Sequence, residues 1–374
     1  PEVEEAIGKC KQAGIRVLML TGDYGLTAES IARRLGIASG RVRIVTGEEI
    51  ESLTDESLQA ILREENLIFA RINPENKLRI VNALQALNNI VAMTGDGVND
   101  APALKRADVG VAMGISGTDV AKEAADMIVT DDNFASIVSA VEEGRAVYNN
   151  IKKFTKYVFA SNVPEAVPFI VHVLASVPLP LNVMQILSVD LGTDMVPAIA
   201  LGAEPPEEDV MRFPPRRREK GILSTGLLAH SLIFLGGIES VAAMASYYWM
   251  NLINGYGSSS LAQPGTVVYS MATTMTLVGI VMAQIGNVFA CRTERSSSLK
   301  RSIMINPLLP LGLLFELSII SALVYLPFLQ PAFGTAPLLP QHWLFPLAFA
   351  PTILLADEVR KLILRRRNRG THVS

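Results

Sequence analysis

Cysteine is nearly absent. Cys10 and Cys291 are the only two in 374 residues, far apart and without metal-ligand spacing, which argues against a disulfide framework or a zinc site. An excess of charge of one sign is lacking too. The 33 basic and 36 acidic residues leave a formal net charge of -3, and no segment interleaves basic and aromatic side chains as single-strand binders do, so nucleic acid is set aside as a partner. An initiator Met and a cleavable signal are missing as well: the chain opens on PEVEEAIGKC, already inside a helix-like pattern, and the expectation is a piece of a longer protein. What the chain has in quantity is apolar surface, 49% of its residues, unevenly spread. Residues 1–150 alternate charged stretches with short apolar runs, whereas later apolar segments reach the roughly 20 residues that cross a bilayer. The expectation is a soluble α/β domain over 1–150 and an all-α membrane domain over 151–374.

In the first part, RVLML (16–20), NLIFAR (66–71), NIVAMTG (89–95), VGVAM (109–113) and MIVT (127–130) alternate with amphipathic stretches. That is the rhythm of a parallel sheet covered by helices. Two of these runs end in the same tripeptide, Thr21-Gly22-Asp23 and Thr94-Gly95-Asp96. Each sets a hydroxyl, a flexible turn and a carboxylate at the carboxyl edge of the sheet, where open α/β folds bind ligands. The second copy continues as Gly97-Val98-Asn99-Asp100, which lets Asp96 and Asp100 reach one site; two hard oxygen donors suit Mg2+ better than zinc. Lys77, in RINPENK, opens a helix after Pro74, from where its ammonium can lie against a phosphoryl group. Singly, each has an ordinary explanation as a capped turn or a solvated lysine. Together, Thr, Lys and paired Asp at successive edge positions form a phosphoryl-transfer constellation.

MLTGD, INPENK and TGDGVNDAPALK resemble the phosphorylation-domain motifs of P-type ATPases, which belong to the haloacid dehalogenase superfamily. The resemblance implies a Rossmann-like parallel sheet in which Thr21 hydrogen-bonds the phosphoryl oxygens beside Gly22 and Asp23 lies near the nucleotide. It implies that Lys77 neutralises phosphoryl charge and that Asp96 holds Mg2+, supported by Asn99 and Asp100. ATP and Mg2+ follow as cofactors. The family forms its aspartyl-phosphate on the Asp of a DKTGT segment, and no such segment occurs in these residues. The nucleophile, the nucleotide-binding domain, the actuator and the first four membrane helices are therefore expected in a missing N-terminal part. Residues 1–374 alone are expected not to hydrolyse ATP.

Six spans are expected by length, near 154–176, 181–202, 223–250, 265–291, 304–328 and 341–364. Lys and Arg cluster in 152–156, 212–220, 292–301 and 360–369, whereas the opposite loops near 177–180, 251–264 and 329–340 contain none. The positive-inside rule puts the soluble domain and the C-terminus in the cytoplasm, with lipid headgroups as neighbours of the basic clusters.

Polar groups inside the spans carry the functional signal, because an unpaired carboxylate in hydrocarbon costs several kcal/mol, on the order of 3. The first span holds Ser161, Asn162 and Glu165, with Pro164 and Pro168 freeing backbone carbonyls. The second reads VDLGTDMVP, so Asp190, Thr193 and Asp194 share one helical face. Two broken helices offering acids and amides make a cage for an inorganic cation. SNVPE and VDLGTDMVPAIALG are similar to the fifth and sixth membrane helices of type II P-type ATPases, notably the sodium/potassium and proton/potassium pumps. That likeness implies ion ligands at Asn162, Glu165, Asp190 and Asp194. Asn287 stands where the calcium pumps carry an acid on the eighth helix; Gln284 and Glu316 are weaker candidates. Calcium, sodium with or without potassium, and protons all remain open as cargo. The expected function is the C-terminal portion of an ATP-driven cation pump, in the plasma membrane. The alternative is a catalytically silent membrane fragment or split-gene subunit. A membrane-tethered phosphatase would need its own nucleophilic Asp upstream of Thr21, and none is present.

Overall fold

The structure, a computed structural model, describes residues 2–216, 218, 221–257, 260–294 and 296–370. The expected basic stretches include Arg217, Lys220 and Arg295, which lie outside the described residues. Two compact units are present: residues 1–145 with 208–221, and residues 146–207 with 222–374.

The first unit contains two three-stranded parallel sheets. One has the order β1 (Met19–Leu20), β3 (Leu67–Ala70), β2 (Arg43–Thr46); the other runs β4 (Ala92–Gly95), β5 (Val109–Met113), β6 (Met127–Val129). The five expected runs all form strands, VGVAM over its full length and the other four shorter, and they divide between two ladders. In RVLML only Met19 and Leu20 pair, opposite Ile68 and Phe69. β2 was not among the expected strands, since its run RIVT begins on Arg43, two residues after Arg41, and has only two strongly apolar residues. The central β3 is buried throughout, as expected of a parallel strand covered on both faces. Asn73 caps the helix Pro74–Ala86 by accepting from the Asn76 N–H at 2.8 Å, and Pro74 occupies the first turn, where no N–H is needed. The segment 208–221 joins this unit because Val210 and Met211 pack with Ala6, Cys10, Ala13 and Val138. Arg145 pins it by donating to the Val210 and Phe213 carbonyls.

The second unit is helical. Among the described residues, five helices are long and apolar enough to cross a membrane: Phe134–Ala175, Val183–Gly202, Thr225–Ile253, Val267–Cys291 and Leu308–Tyr325. The sixth expected span does form a helix, Phe349–Gly370, but Asp357, Glu358, Arg360 and Lys361 interrupt its apolar run, so it falls outside that set. Val267–Cys291 is the central element, buried along almost its whole length. It packs against Gly236–Ile253 and Phe349–Gly370. Ala242, Ala243, Ala272 and Ala283 are fully buried among these helices, as close helix packing in lipid requires.

Two spans are not regular α-helices. Val189–Thr193 and Ala229–Leu235 are π-helical turns, a distortion frequent at functional sites. The first span breaks between Ser161 and Val163, with Pro164 just beyond and Pro168 inside the second piece.

Candidate functional site

The sheet-edge site of the first unit is built by short turns. Thr21 follows β1; its Oγ1 accepts from the Asp23 N–H at 3.1 Å, and its backbone ties to Phe69 and Ile72. Gly22 and Asp23 are exposed. After β4 the chain turns at Asp96 and Gly97 into the 3-10 turn Val98–Asp100. Here the two aspartates part company. Asp100 is buried: one oxygen is 2.5 Å from Lys77 Nζ, and the other accepts from the Asp96 and Gly97 N–H groups, each at 3.3 Å. Asp96 and Asn99 are exposed. The structure therefore brings Lys77 and Asp100 into contact. Among the described residues it forms no hydrogen bond or ion pair between them and residues 21–23. Mg2+ is satisfied by one or two carboxylates with water and phosphate oxygens completing its shell. The open Asp96 carboxylate beside a rigid, amide-held Asp100 fits that need.

The second unit gathers carboxylates. Glu165 and Asp194 are buried, and Glu165 Oε1 and Asp194 Oδ1 have no hydrogen-bond partner. Tyr157 and Ser161 lie near Asp194, yet their hydroxyls are also unpartnered. Thr193 is buried and donates to the Val189 carbonyl at 3.3 Å, which leaves its Oγ1 lone pairs. Asp190 feels the same group electrostatically through Glu165, but Asp190 and Asn162 are exposed on the faces of their helices. Asn287 Oδ1 accepts from Cys291 Sγ at 3.2 Å, while its Nδ2 and both polar atoms of Gln284 are unpartnered and buried. Pro164, Pro168 and Pro197 each lack the N–H that would bond the carbonyl four residues back, so the Ala160, Pro164 and Thr193 oxygens lose their α-helical partners. Buried polar atoms are normally paired, so this many unsatisfied oxygens around two broken helices are suited to a cation.

Two members of the group were not anticipated. Glu239 and Tyr157 are fully buried beside Asp194. Glu239 was discoverable, as the one acid in the span Thr225–Ile253; Tyr157 carried no signal, since a tyrosine near a helix end is ordinary.

A family model described as "Cation transporting ATPase, C-terminus" matches residues 178–363. Two described as "haloacid dehalogenase-like hydrolase" match 1–108 and 76–141. Sodium/potassium-transporting ATPase subunit alpha-4 of Rattus norvegicus, and subunit alpha-3 of Rattus norvegicus and of Homo sapiens, are each 38% identical over 98% of the chain. The chain spans 41% of the length of these relatives. A haloacid dehalogenase-like α/β unit followed by long apolar helices with buried acids defines an integral membrane protein. The chain belongs to the P-type cation-transporting ATPases, a family in which ATP and Mg2+ are used generally.

Proposed function

We propose that this chain supplies the cation cage and part of the phosphoryl site of an ATP-driven cation pump, in which aspartyl-phosphate formation and hydrolysis drive transport. The observation that carries it is the pair of buried, unpartnered carboxylates Glu165 and Asp194 beside proline-freed carbonyls. Carboxylates survive in a membrane interior only when a cation, a proton or water offsets their desolvation. Glu165, Asp194, Thr193 and Ser161 line the closed side of the cage. Asn162 and Asp190 face outward, open to a further element of the pump. Na+ and K+ are the first ions to test, because the relatives matched over 98% of the chain are named for them. A silent membrane module is not favoured.

At the sheet edge, Asp96 and Asp100 would hold Mg2+, with Asn99 beside them. When bound there, Mg2+ neutralises charge on phosphoryl oxygens. Thr21 would donate to those oxygens, with Asp23 toward the nucleotide. Lys77 adds positive charge and is kept in place by Asp100.

Asp194→Asn tests the cage, since it keeps size and shape while removing charge. In the full-length protein it should shift half-maximal cation activation at least tenfold, about 1.4 kcal/mol, in a screen of Na+, K+, Ca2+ and pH. Normal activation of both Asp194→Asn and Glu165→Gln by every ion would end the proposal.

The plasma membrane, with the first unit and the C-terminus cytoplasmic, is the proposed setting. Cysteines placed singly at exposed Glu208 and Gly257 should then label from opposite membrane faces with an impermeant maleimide. The native thiols do not interfere: Cys291 is buried, and burial pushes the Cys10 thiol up despite nearby Arg145. Same-side labelling would overturn the orientation.

A further inference from the structure

The exposed Asp96 carboxylate stands on a backbone that is held twice. Its N–H donates to Asp100 at 3.3 Å, and its carbonyl accepts from the Thr118 N–H at 2.9 Å. The first of these bonds lies within its own turn. The second comes from the loop 114–118, which follows β5, the strand paired with β4. Thr118 also caps the helix Asp119–Ala124, its Oγ1 accepting from the Ala121 N–H at 3.3 Å, so the loop enters that helix at the residue that holds Asp96.

Side-chain packing does not fix this loop. Ile115 is 75% exposed, and Ser116 and Thr118 are exposed as well. Its path is tight all the same: a methyl group on Gly117 would run into the Met113 carbonyl, and the Gly114 N–H donates to the Val129 carbonyl at 2.8 Å. The remaining anchor is Asp132, in the turn after β6. Its Oδ1 accepts from the Ile115 N–H at 2.9 Å and its Oδ2 from the Ser116 N–H at 2.7 Å, so one carboxylate fills a cradle of two successive amides. To reach them Asp132 adopts a φ of 52°, in the left-handed region that Asp and Asn enter more readily than other side chains. The amides, that of Ile115 foremost, hold its carboxyl down at about 2, which keeps it charged at neutral pH. The edge loops of three neighbouring strands are thus joined in series, from β6 to β5 to β4, and the series ends on the Asp96 carbonyl.

We propose that Asp132 is a positioning residue for phosphoryl transfer: through the loop 114–118 it fixes the Asp96 backbone, so that the Asp96 carboxylate is presented ready to take its divalent cation. This rests on the assignment of Mg2+ to Asp96 made above. Both Asp132 oxygens face amides, so it serves the metal through the loop and not as a ligand. A ligand on a mobile turn has to be ordered when the ion binds, and that ordering subtracts from affinity. A turn already tied to the neighbouring loop avoids the loss.

Asp132→Asn tests it, because Asn keeps the left-handed turn but offers one acceptor oxygen in place of two and turns an NH2 toward a backbone N–H. Mn2+ binding to the purified full-length protein, followed by electron paramagnetic resonance, should weaken about tenfold, the usual cost of losing a group that orients a metal ligand. The backbone amides of Ile115, Ser116 and Thr118 should exchange faster with deuterium. The Mg2+ concentration for half-maximal phosphorylation should rise by the same factor while the rate at saturating Mg2+ is retained; a merely structural lesion would lower that rate and leave the half-saturation in place. Should Asp132→Asn fail to fold, Thr118→Pro makes the same test: φ at Thr118 is -70°, which proline adopts, and the substitution deletes the N–H that Asp96 accepts. Unchanged Mn2+ affinity in the folded variant overturns the proposal, whether or not the loop amides exchange faster. Asp96→Asn, titrated alongside, separates the two readings: if it weakens Mn2+ while Asp132→Asn does not, only the positioning role fails; if neither does, the assignment of the metal to Asp96 fails with it.

Discussion

Asp96→Asn in the full-length protein should slow phosphoenzyme formation from ATP by about a hundredfold at low Mg2+, about 2.7 kcal/mol of barrier. The two aspartates of the turn are not equivalent. Asp100 is buried, held by Lys77 and by the Asp96 and Gly97 amides, so its first task is to hold the turn and the lysine. Asp96 is exposed at the end of β4, which makes it the carboxylate with room for a metal. Losing one of two hard anionic ligands weakens Mg2+ and the electrostatic stabilisation it gives a transferring phosphoryl group. Because Asp96 supports no packing, its variant should melt at the wild-type temperature, and raised Mg2+ should restore part of the rate. Asp100→Ala should behave differently, losing both phosphorylation and thermal stability as Lys77 and two backbone N–H groups lose their acceptor. Phosphorylation measured across a Mg2+ series, with melting curves for each variant, decides the matter. A normal rate for Asp96→Asn at limiting Mg2+ would remove Asp96 from the site.

Lys361→Met should cost about 3–5 kcal/mol of stability, the usual penalty for removing one member of a buried ion pair. Lys361 and Asp357 are both fully buried, 2.9 Å apart. Asp357 is also 2.6 Å from Arg360 and 3.0 Å from His230. Lys361 donates to the Ala290 carbonyl, Thr293 and Ser298, at 3.0, 3.0 and 2.8 Å. This cluster locks the helix Phe349–Gly370 to the end of Val267–Cys291, and Met would leave Asp357 and three polar acceptors without their shared donor. The double variant Lys361→Met with Asp357→Asn should recover part of the loss, because the Asp357 oxygen that faced Lys361 is no longer part of a carboxylate, while Arg360 and His230 contact the other oxygen. Thermal midpoints of the purified protein in detergent measure both. A single variant as stable as wild type would show that the pair contributes nothing net.

The same cluster shows where local sequence stopped short. Span counting by length treated 341–364 as a sixth apolar crossing. A helix forms, but Asp357, Glu358, Arg360 and Lys361 give it a different character. Length and hydropathy register how much apolar surface a segment has, and they cannot register that four charges near its end will find partners on neighbouring helices. The strand runs were legible because apolar runs bounded by glycine turns are a local property, and the Thr-Gly-Asp repeats placed both turns after strands. The division into two ladders was not legible, since it depends on which short strands come into hydrogen-bonding register.

In the membrane helices, residue type and spacing were sufficient to single out Glu165 and Asp194, because an acid in a long apolar run is costly wherever it points. Whether such an acid meets others is a different matter. Asp190 and Asn162 have the right spacing yet lie on exposed faces, while Glu239 and Glu316, on distant segments, are packed into the buried group. Sequence by itself determined the class of fold, the phosphoryl motifs and the cost of each intramembrane acid, all of which follow from local chemistry. Only the tertiary structure decided that Asp100 turns inward to Lys77 and that Glu239 joins Asp194. Those pairings depend on close approaches between elements far apart in the chain, set by small residues such as Gly236 and Gly312, and no local pattern encodes which neighbour fills the space they leave.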